Sequence, residues 1–115
     1  MIPAPRRNDL ASGITALSRW IDEGNVGRDP EAATWARIAK ITEEAGEVVA
    51  ALIGVTGQNP RKGVTHTMGD VEDELLDVAL TALAALEHVR GHDGRSMDLL
   101  DDKVARTLAR AGLEG

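Results

Sequence analysis

Apolar residues recur along the chain at spacings of three and four, in stretches separated by breaks rich in glycine and proline. That pattern predicts four helices and no strand. The first helix is expected from Leu10 to Asp22, with Asn8 or Asp9 as its cap and Gly24 just past its end. The second has the clearest start: Asp29 caps it, Pro30 takes the first helical position and Glu31 follows. It should run through Trp35 to about Ile53, with Gly54 ending it. Residues 54–69, GVTGQNPRKGVTHTMG, hold four glycines and a proline and read as a loop. The third helix is expected from about Asp70 to Arg90. GHDGR then forms a turn, and Ser96 caps a fourth helix that continues to Ala111, before Gly112. No repeat or low-complexity segment breaks the pattern. The expectation is one all-α domain over residues 1–115, a four-helix bundle with residues 1–8 flexible.

The two central helices carry an unusual distribution of charge. At 100° per residue, Lys40, Glu43, Glu44 and Glu47 fall within a stripe of roughly 100° on the second helix. Ile38, Ile41, Ala45, Val48, Val49 and Leu52 occupy its other side. On the third helix, Asp70, Glu74, Asp77, Thr81 and His88 share a similar stripe. Val71, Leu75, Leu76, Val78, Leu80, Leu83, Leu86 and Val89 cover roughly 200° of the remainder, whereas a surface helix of a monomer needs an apolar stripe of only ~100°. A second subunit is therefore expected to supply part of the cover, making a homo-oligomer. The acidic stripe is expected to face solvent or a cavity at the edge of the bundle.

Composition narrows the chemistry. The chain has 115 residues, enough for one core. It has two Trp, no Phe and no Tyr, so the core must be built from aliphatic side chains. With no cysteine, disulfides and thiolate metal sites are excluded. A net charge of -6 argues against a grip on a nucleic-acid backbone, which needs a basic stripe. The start, MIPAPRRNDL, has two arginines but no apolar run behind them, unlike a signal peptide. No apolar run approaches the ~18 residues of a membrane span. The expected setting is cytoplasmic, without nucleic-acid or membrane partners.

Like charges one turn apart cost a helix stability, so the crowding of Glu43, Glu44 and Glu47 asks for a reason. In an antiparallel hairpin, Glu47 lies about 10 Å of helix before Gly54, and Glu74 and Asp77 lie about 8–12 Å past Gly69. Glu44, Glu47, Glu74 and Asp77 are thus expected to meet at one height. Four carboxylates in a small volume stay ionised only beside a cation. An all-oxygen donor set suits Mg²⁺, with Mn²⁺ as a substitute. The plainer alternative is two solvated acidic faces that happen to align. A ferritin-like di-iron site would need Glu-x-x-His pairs, and neither Glu47 nor Glu74 begins one.

Glu43-Glu44-Ala45-Gly46-Glu47 followed by Glu74-Leu75-Leu76-Asp77 resembles the EExxE…ExxD signature of the MazG-like nucleotide pyrophosphohydrolases. KITEEAGEVVAA and DVEDELLDVAL are similar to that family's two metal-binding helices, and GQNPRKG to the loop of its actinobacterial members. The resemblance spans about residues 35–110. It implies an all-α dimer or tetramer and Mg²⁺-dependent cleavage of a nucleoside triphosphate to a monophosphate and pyrophosphate. Glu44, Glu47, Glu74 and Asp77 would be metal ligands. Glu43 would be a further catalytic acid, orienting water or holding a ligand.

Other candidates follow. Lys40 is expected either to contact phosphate or to pair with Glu44. Arg61 and Lys62 either close on the triphosphate from the loop or stay solvated. Lys103 and Arg106 resemble the family's C-terminal basic residues, although the asparagine often found there is missing from KVARTLARAG. Trp20 and Trp35 are the flat side chains available to a base, with packing the competing role for Trp35. His66, in the loop, is expected either to reach a substrate or to be an ordinary surface histidine. His88 lies about 16 Å beyond Asp77, too far to be a ligand, and His92 belongs to a turn. The rival readings are a related phosphohydrolase, dUTPase-like or acting on phosphoribosyl-ATP, and a non-catalytic helical module that binds metal or a partner.

Overall fold

A computed structural model describes residues 9–113. The elements are α1 (Asp9–Glu23), α2 (Pro30–Thr56), α3 (Met68–Val89) and α4 (Ser96–Ala111), with no strand among the described residues. The chain is all-α. Residues 1–8, with the cap expected at Asn8, lie outside the described residues.

Local chemistry sets the helix ends, and in three places it moves them. Asp29 caps α2 as expected, accepting from the Ala32 N–H at 3.0 Å with Pro30 at the first position. The far end of α2 does not stop at Gly54. The helix continues to Thr56, and Gly57, with φ 65°, takes the left-handed position that closes it. Gly54 has another task. The Thr65 and His66 N–H groups donate to its carbonyl at 2.9 and 3.4 Å, and a Cβ there would collide with the His66 ring. The glycine lets the 58–67 loop fold back onto the helix.

The third helix starts at Met68, two residues earlier than expected. Thr67 and Asp70 form a reciprocal cap: the Thr67 hydroxyl accepts from the Asp70 N–H, and the Asp70 carboxylate accepts from the Thr67 N–H at 2.9 Å. Asp70 thus leaves the acidic stripe to serve its own helix end. At α4, Ser96 is the first helical residue rather than the cap, and Arg95 at the cap position makes no side-chain bond. The cap comes from a distance. Glu87 of α3 is fully buried, and its carboxylate accepts from the Gly94 N–H at 3.0 Å and the Ser96 N–H at 2.9 Å. This ties the α3–α4 turn to the end of α3.

The two central helices form an antiparallel hairpin, with α1 packed mainly on α3. The inward seam of α2 is Thr34, Arg37, Ile41, Glu44, Val48, Ala51 and Val55, all buried or half-buried. Its spacing alternates three and four, the geometry of two helices crossing at a shallow angle. Val71, Glu74, Val78, Thr81, Ala85 and His88 form the matching seam of α3. Glu44 therefore turns inward with Ile41 and Val48, while Ile38, Ala45, Val49 and Leu52 of the expected core face lie exposed.

That inversion leaves little apolar core. Among the described residues, Ile14, Ala51, Val71, Ala84 and Ala85 are the buried apolar side chains, whereas Val49 is 58% and Leu76 is 67% exposed. Every residue of α4 from Leu100 on is exposed. The radius of gyration is 17.4 Å, against about 13 Å for a compact chain of 100 residues.

Glu87→Ala should remove the shared cap and leave the buried Ser96 N–H and the partly buried Gly94 N–H without an acceptor, at a cost of about 2–3 kcal/mol. Thermal unfolding followed by circular dichroism should show a midpoint several degrees lower, with Glu87→Gln losing less. An unchanged midpoint would remove Glu87 from the account of how α4 is anchored.

Candidate metal centre and adjoining cavity

The half-buried carboxylates of Glu44, Glu74 and Asp77 each bring an oxygen to within 4.8 Å of the others. Glu44 comes from the α2 seam and Glu74 from the α3 seam, with Asp77 one turn further along α3. The i, i+3 spacing of Glu74 and Asp77 puts both on the side that faces Glu44. One oxygen of Glu74, Oε2, is buried and has no hydrogen-bond partner. A buried carboxylate oxygen without a donor is costly unless a cation completes it. All three donors are hard oxygens, a set that fits Mg²⁺ or Mn²⁺.

Lys40 borders this cluster. Its ammonium lies 3.2 Å from Glu43 and 3.4 Å from Glu44. The hydrogen bond and charge of Glu43, then those of Glu44, hold the Lys40 ammonium above its ordinary value. Of the two roles expected for Lys40, pairing with Glu44 is present. Glu43 and Glu47 are exposed, and Glu47 stands outside the close cluster.

The side chain of Lys40 also lines a cavity of about 380 Å³ between α1 and the hairpin. Leu17, Trp20, Ile21 and Asn25 form one wall, and Ala36, Arg37, Leu80, Thr81 and Ala84 the other. The lining is mainly apolar, with a few polar groups, as small-molecule sites usually are. Trp20 is 70% exposed at its rim.

The remaining candidates are dispersed. Trp35 is exposed on α2 and does not line this cavity. Arg61, Lys62, Lys103 and Arg106 are exposed and make no ion pair among the described residues. His66 is engaged by the Thr65 hydroxyl at 2.9 Å.

A second polar group has no counterpart in the sequence reading. Arg37, buried in the α2 seam, donates to Asp22 Oδ1 at 2.8 Å and, through its other nitrogen, to Ser18 Oγ and the Ala84 carbonyl at 2.9 Å each. Ser18 is fully buried and donates to the Ala84 carbonyl at 2.8 Å. His88 Nδ1 lies 2.6 Å, and His92 Nε2 3.2 Å, from Asp22 Oδ2. Burial pushes the Asp22 carboxyl up, but the His88 hydrogen bond and the Arg37 charge outweigh it and leave it lowered. Glu87 behaves alike: burial raises it, and the donors of the Gly94–Ser96 segment bring it below its ordinary value. The sequence carries a partial signal, confined to α1: on the Ile14–Ser18–Asp22 line, polar residues continue a buried apolar face at i, i+4 spacing. The notable feature of Arg37 was its place in the 37–41–44–48–51 seam.

No known protein family, curated protein or solved structure matches the chain. The site therefore rests on its own geometry.

Two outcomes follow. Asp22 and Glu87 titrate lower when folded than when unfolded, so their stabilisation is complete above the ordinary carboxylate range. It is lost as pH falls through the lowered folded values. Urea unfolding should give a free energy that holds down to about pH 5 and declines below it, and Asp22→Asn should flatten part of that decline. Separately, Glu74→Gln in chelator-treated protein should raise the melting midpoint, because it relieves repulsion among the three carboxylates and removes a buried unpartnered charge. A lower midpoint would mean that Glu74 is already satisfied without metal.

Proposed function

We propose that the protein is a homo-oligomeric, Mg²⁺-dependent nucleoside triphosphate pyrophosphohydrolase of the MazG-like kind, acting in the cytoplasm to remove unwanted nucleotides. The observation that carries this reading is the unpartnered, buried oxygen of Glu74 within a three-carboxylate cluster that adjoins an apolar cavity through Lys40.

Glu44, Glu74 and Asp77 would hold the metal, with Glu47, one turn from Glu44, as a further ligand. When bound, Mg²⁺ would neutralise phosphate oxygens, lower the pKa of a coordinated water and stabilise the departing pyrophosphate. The protein's part is placement, which supplies most of the rate in phosphoryl chemistry. Glu43, exposed beside the cluster, is the acid available to orient the attacking water. Water adds across the anhydride between the α and β phosphates, leaving a monophosphate and pyrophosphate. Lys40, held by Glu43 and Glu44, stands between the cluster and the cavity, where it can pass from carboxylate to phosphate.

The cavity is the place for the base. Its volume suits a ring system, and Trp20 offers a flat face at its rim. Arg61 and Lys62 from the loop, and Lys103 and Arg106 from α4, are proposed to meet the triphosphate. The α4 pair would act from a neighbouring copy. Oligomerisation is supported by the exposed Ile38, Val49 and Leu52 of α2, with Leu75 and Leu76 of α3 and the uncovered α4. Apolar area of that extent marks an interface.

Purified protein incubated with a panel of ribo- and deoxyribonucleoside triphosphates and Mg²⁺ should release monophosphate and pyrophosphate. Glu74→Gln, Asp77→Asn and Glu47→Gln should each lower kcat by about 100-fold or more, with the oligomer retained on size exclusion. Diphosphate plus phosphate as products would move the cut to the outer bond and point to a different phosphohydrolase. No turnover with Mg²⁺ or Mn²⁺ across the panel would favour a binding module.

A further inference from the structure

Helix α1 forms most of one wall of the cavity, yet apolar packing holds it weakly. Ile14 is its buried apolar residue, while Leu10, Leu17 and Trp20 are exposed. What ties its C-terminal half to the hairpin is the polar group around Asp22. A single carboxylate receives Arg37 from α2 at 2.8 Å and His88 from α3 at 2.6 Å, and His92 Nε2 of the following turn lies 3.2 Å from it. One turn earlier, Ser18 receives Arg37 and gives its proton to the Ala84 carbonyl. Arg19 adds a bond to the His92 carbonyl at 3.2 Å.

The donor inventory makes this group tightly specified. The Ser18 hydroxyl spends its one proton on Ala84, so toward His92 Nε2 it accepts. Asp22 accepts from Arg37 on one oxygen and from His88 on the other, so both oxygens are used. His92 is held with φ 62°, a left-handed position that a residue other than glycine keeps only when its surroundings over-determine it. A charged, geometrically exact contact of this kind fixes where a helix docks more than it adds to global stability. It also breaks as a unit, because each member leaves the others unpaired.

Arg37 and Ala84 belong to both the polar group and the cavity lining. The contact that docks α1 therefore also forms part of the cavity wall. We propose that α1 is a latched wall: the Ser18–Asp22–Arg37 group, with His88 and His92, holds it against the hairpin, and release of that latch swings α1 outward and widens the cavity for its ligand. This deepens the nucleotide reading by naming how a base reaches its pocket, and it rests on that reading only for the identity of the ligand. Asp22 and Arg37 are positioning residues, since they act through the placement of Trp20 and Leu17.

The test is hydrogen–deuterium exchange of the full chain, free of metal and nucleotide, so that its result stands apart from whether nucleotides are hydrolysed. Asp22→Asn should speed exchange of the 10–23 segment at least tenfold, while protection of the 41–56 and 71–86 segments changes less than twofold. His88→Gln, which keeps the Asp22–Arg37 pair, should give a smaller rise confined to the same segment and serves if Asp22→Asn does not fold. Equal acceleration across all helices would make the group part of the global core, and unchanged exchange of α1 would show that the group does not hold it. Either result would overturn the latch.

Discussion

The placement of three carboxylates between facing helices sets the terms for this fold. Glu44, Glu74 and Asp77 occupy positions in or beside the seam between α2 and α3, where aliphatic residues would ordinarily sit, and their oxygens approach within 4.8 Å. A seam carrying acids, an arginine and two threonines cannot supply the burial that a domain of this size needs. The apolar residues are displaced to the outer faces of the same helices, where a second copy would cover them. On the proposed reading, site and assembly would be two consequences of one choice about which stripe of α2 faces α3.

Polar contacts hold much of the rest together. Glu87 anchors the α3–α4 turn by accepting two backbone N–H groups, Asp70 and Thr67 cap α3, and Asp22 and Arg37 dock α1. Such contacts are directional. They give geometry where a chain with two Trp, no Phe and no Tyr has few large side chains to define packing. They also concentrate precision around the cavity, where Arg37 and Lys40 lie one turn apart on α2 and serve different neighbours.

The helices were legible in the sequence because their ends carry local chemistry. Asp29 followed by Pro30 marks the start of α2, and Gly112 the end of α4, without reference to anything distant. Gly54 misled because a glycine required for close approach looks the same as one required for a positive φ. Only the folded loop, with His66 against it, tells them apart. Ser96 misled for a related reason: the acceptor at that helix end is Glu87, nine residues back and buried. The convergence of Glu44, Glu74 and Asp77 followed from rise per residue and hairpin geometry. The inward turn of α2 did not, since stripes led by Ile38 and by Arg37 both alternate three and four. The Asp22 group was out of reach because its members lie on α1, α2, α3 and the turn after α3, and no local spacing links residues 22, 37, 88 and 92.

The proposed chemistry depends on the carboxylate cluster binding a divalent cation. Titration of the chelator-treated protein with Mn²⁺, followed by electron paramagnetic resonance of the free aquo ion, tests it without any assumption about substrate. The free-ion signal should be suppressed until at least one equivalent per chain is bound, and Asp77→Asn should weaken this uptake at least tenfold. A free-ion signal that rises from the first addition, identical in wild type and variant, would show that the cluster holds no metal and would remove the basis for the proposed chemistry.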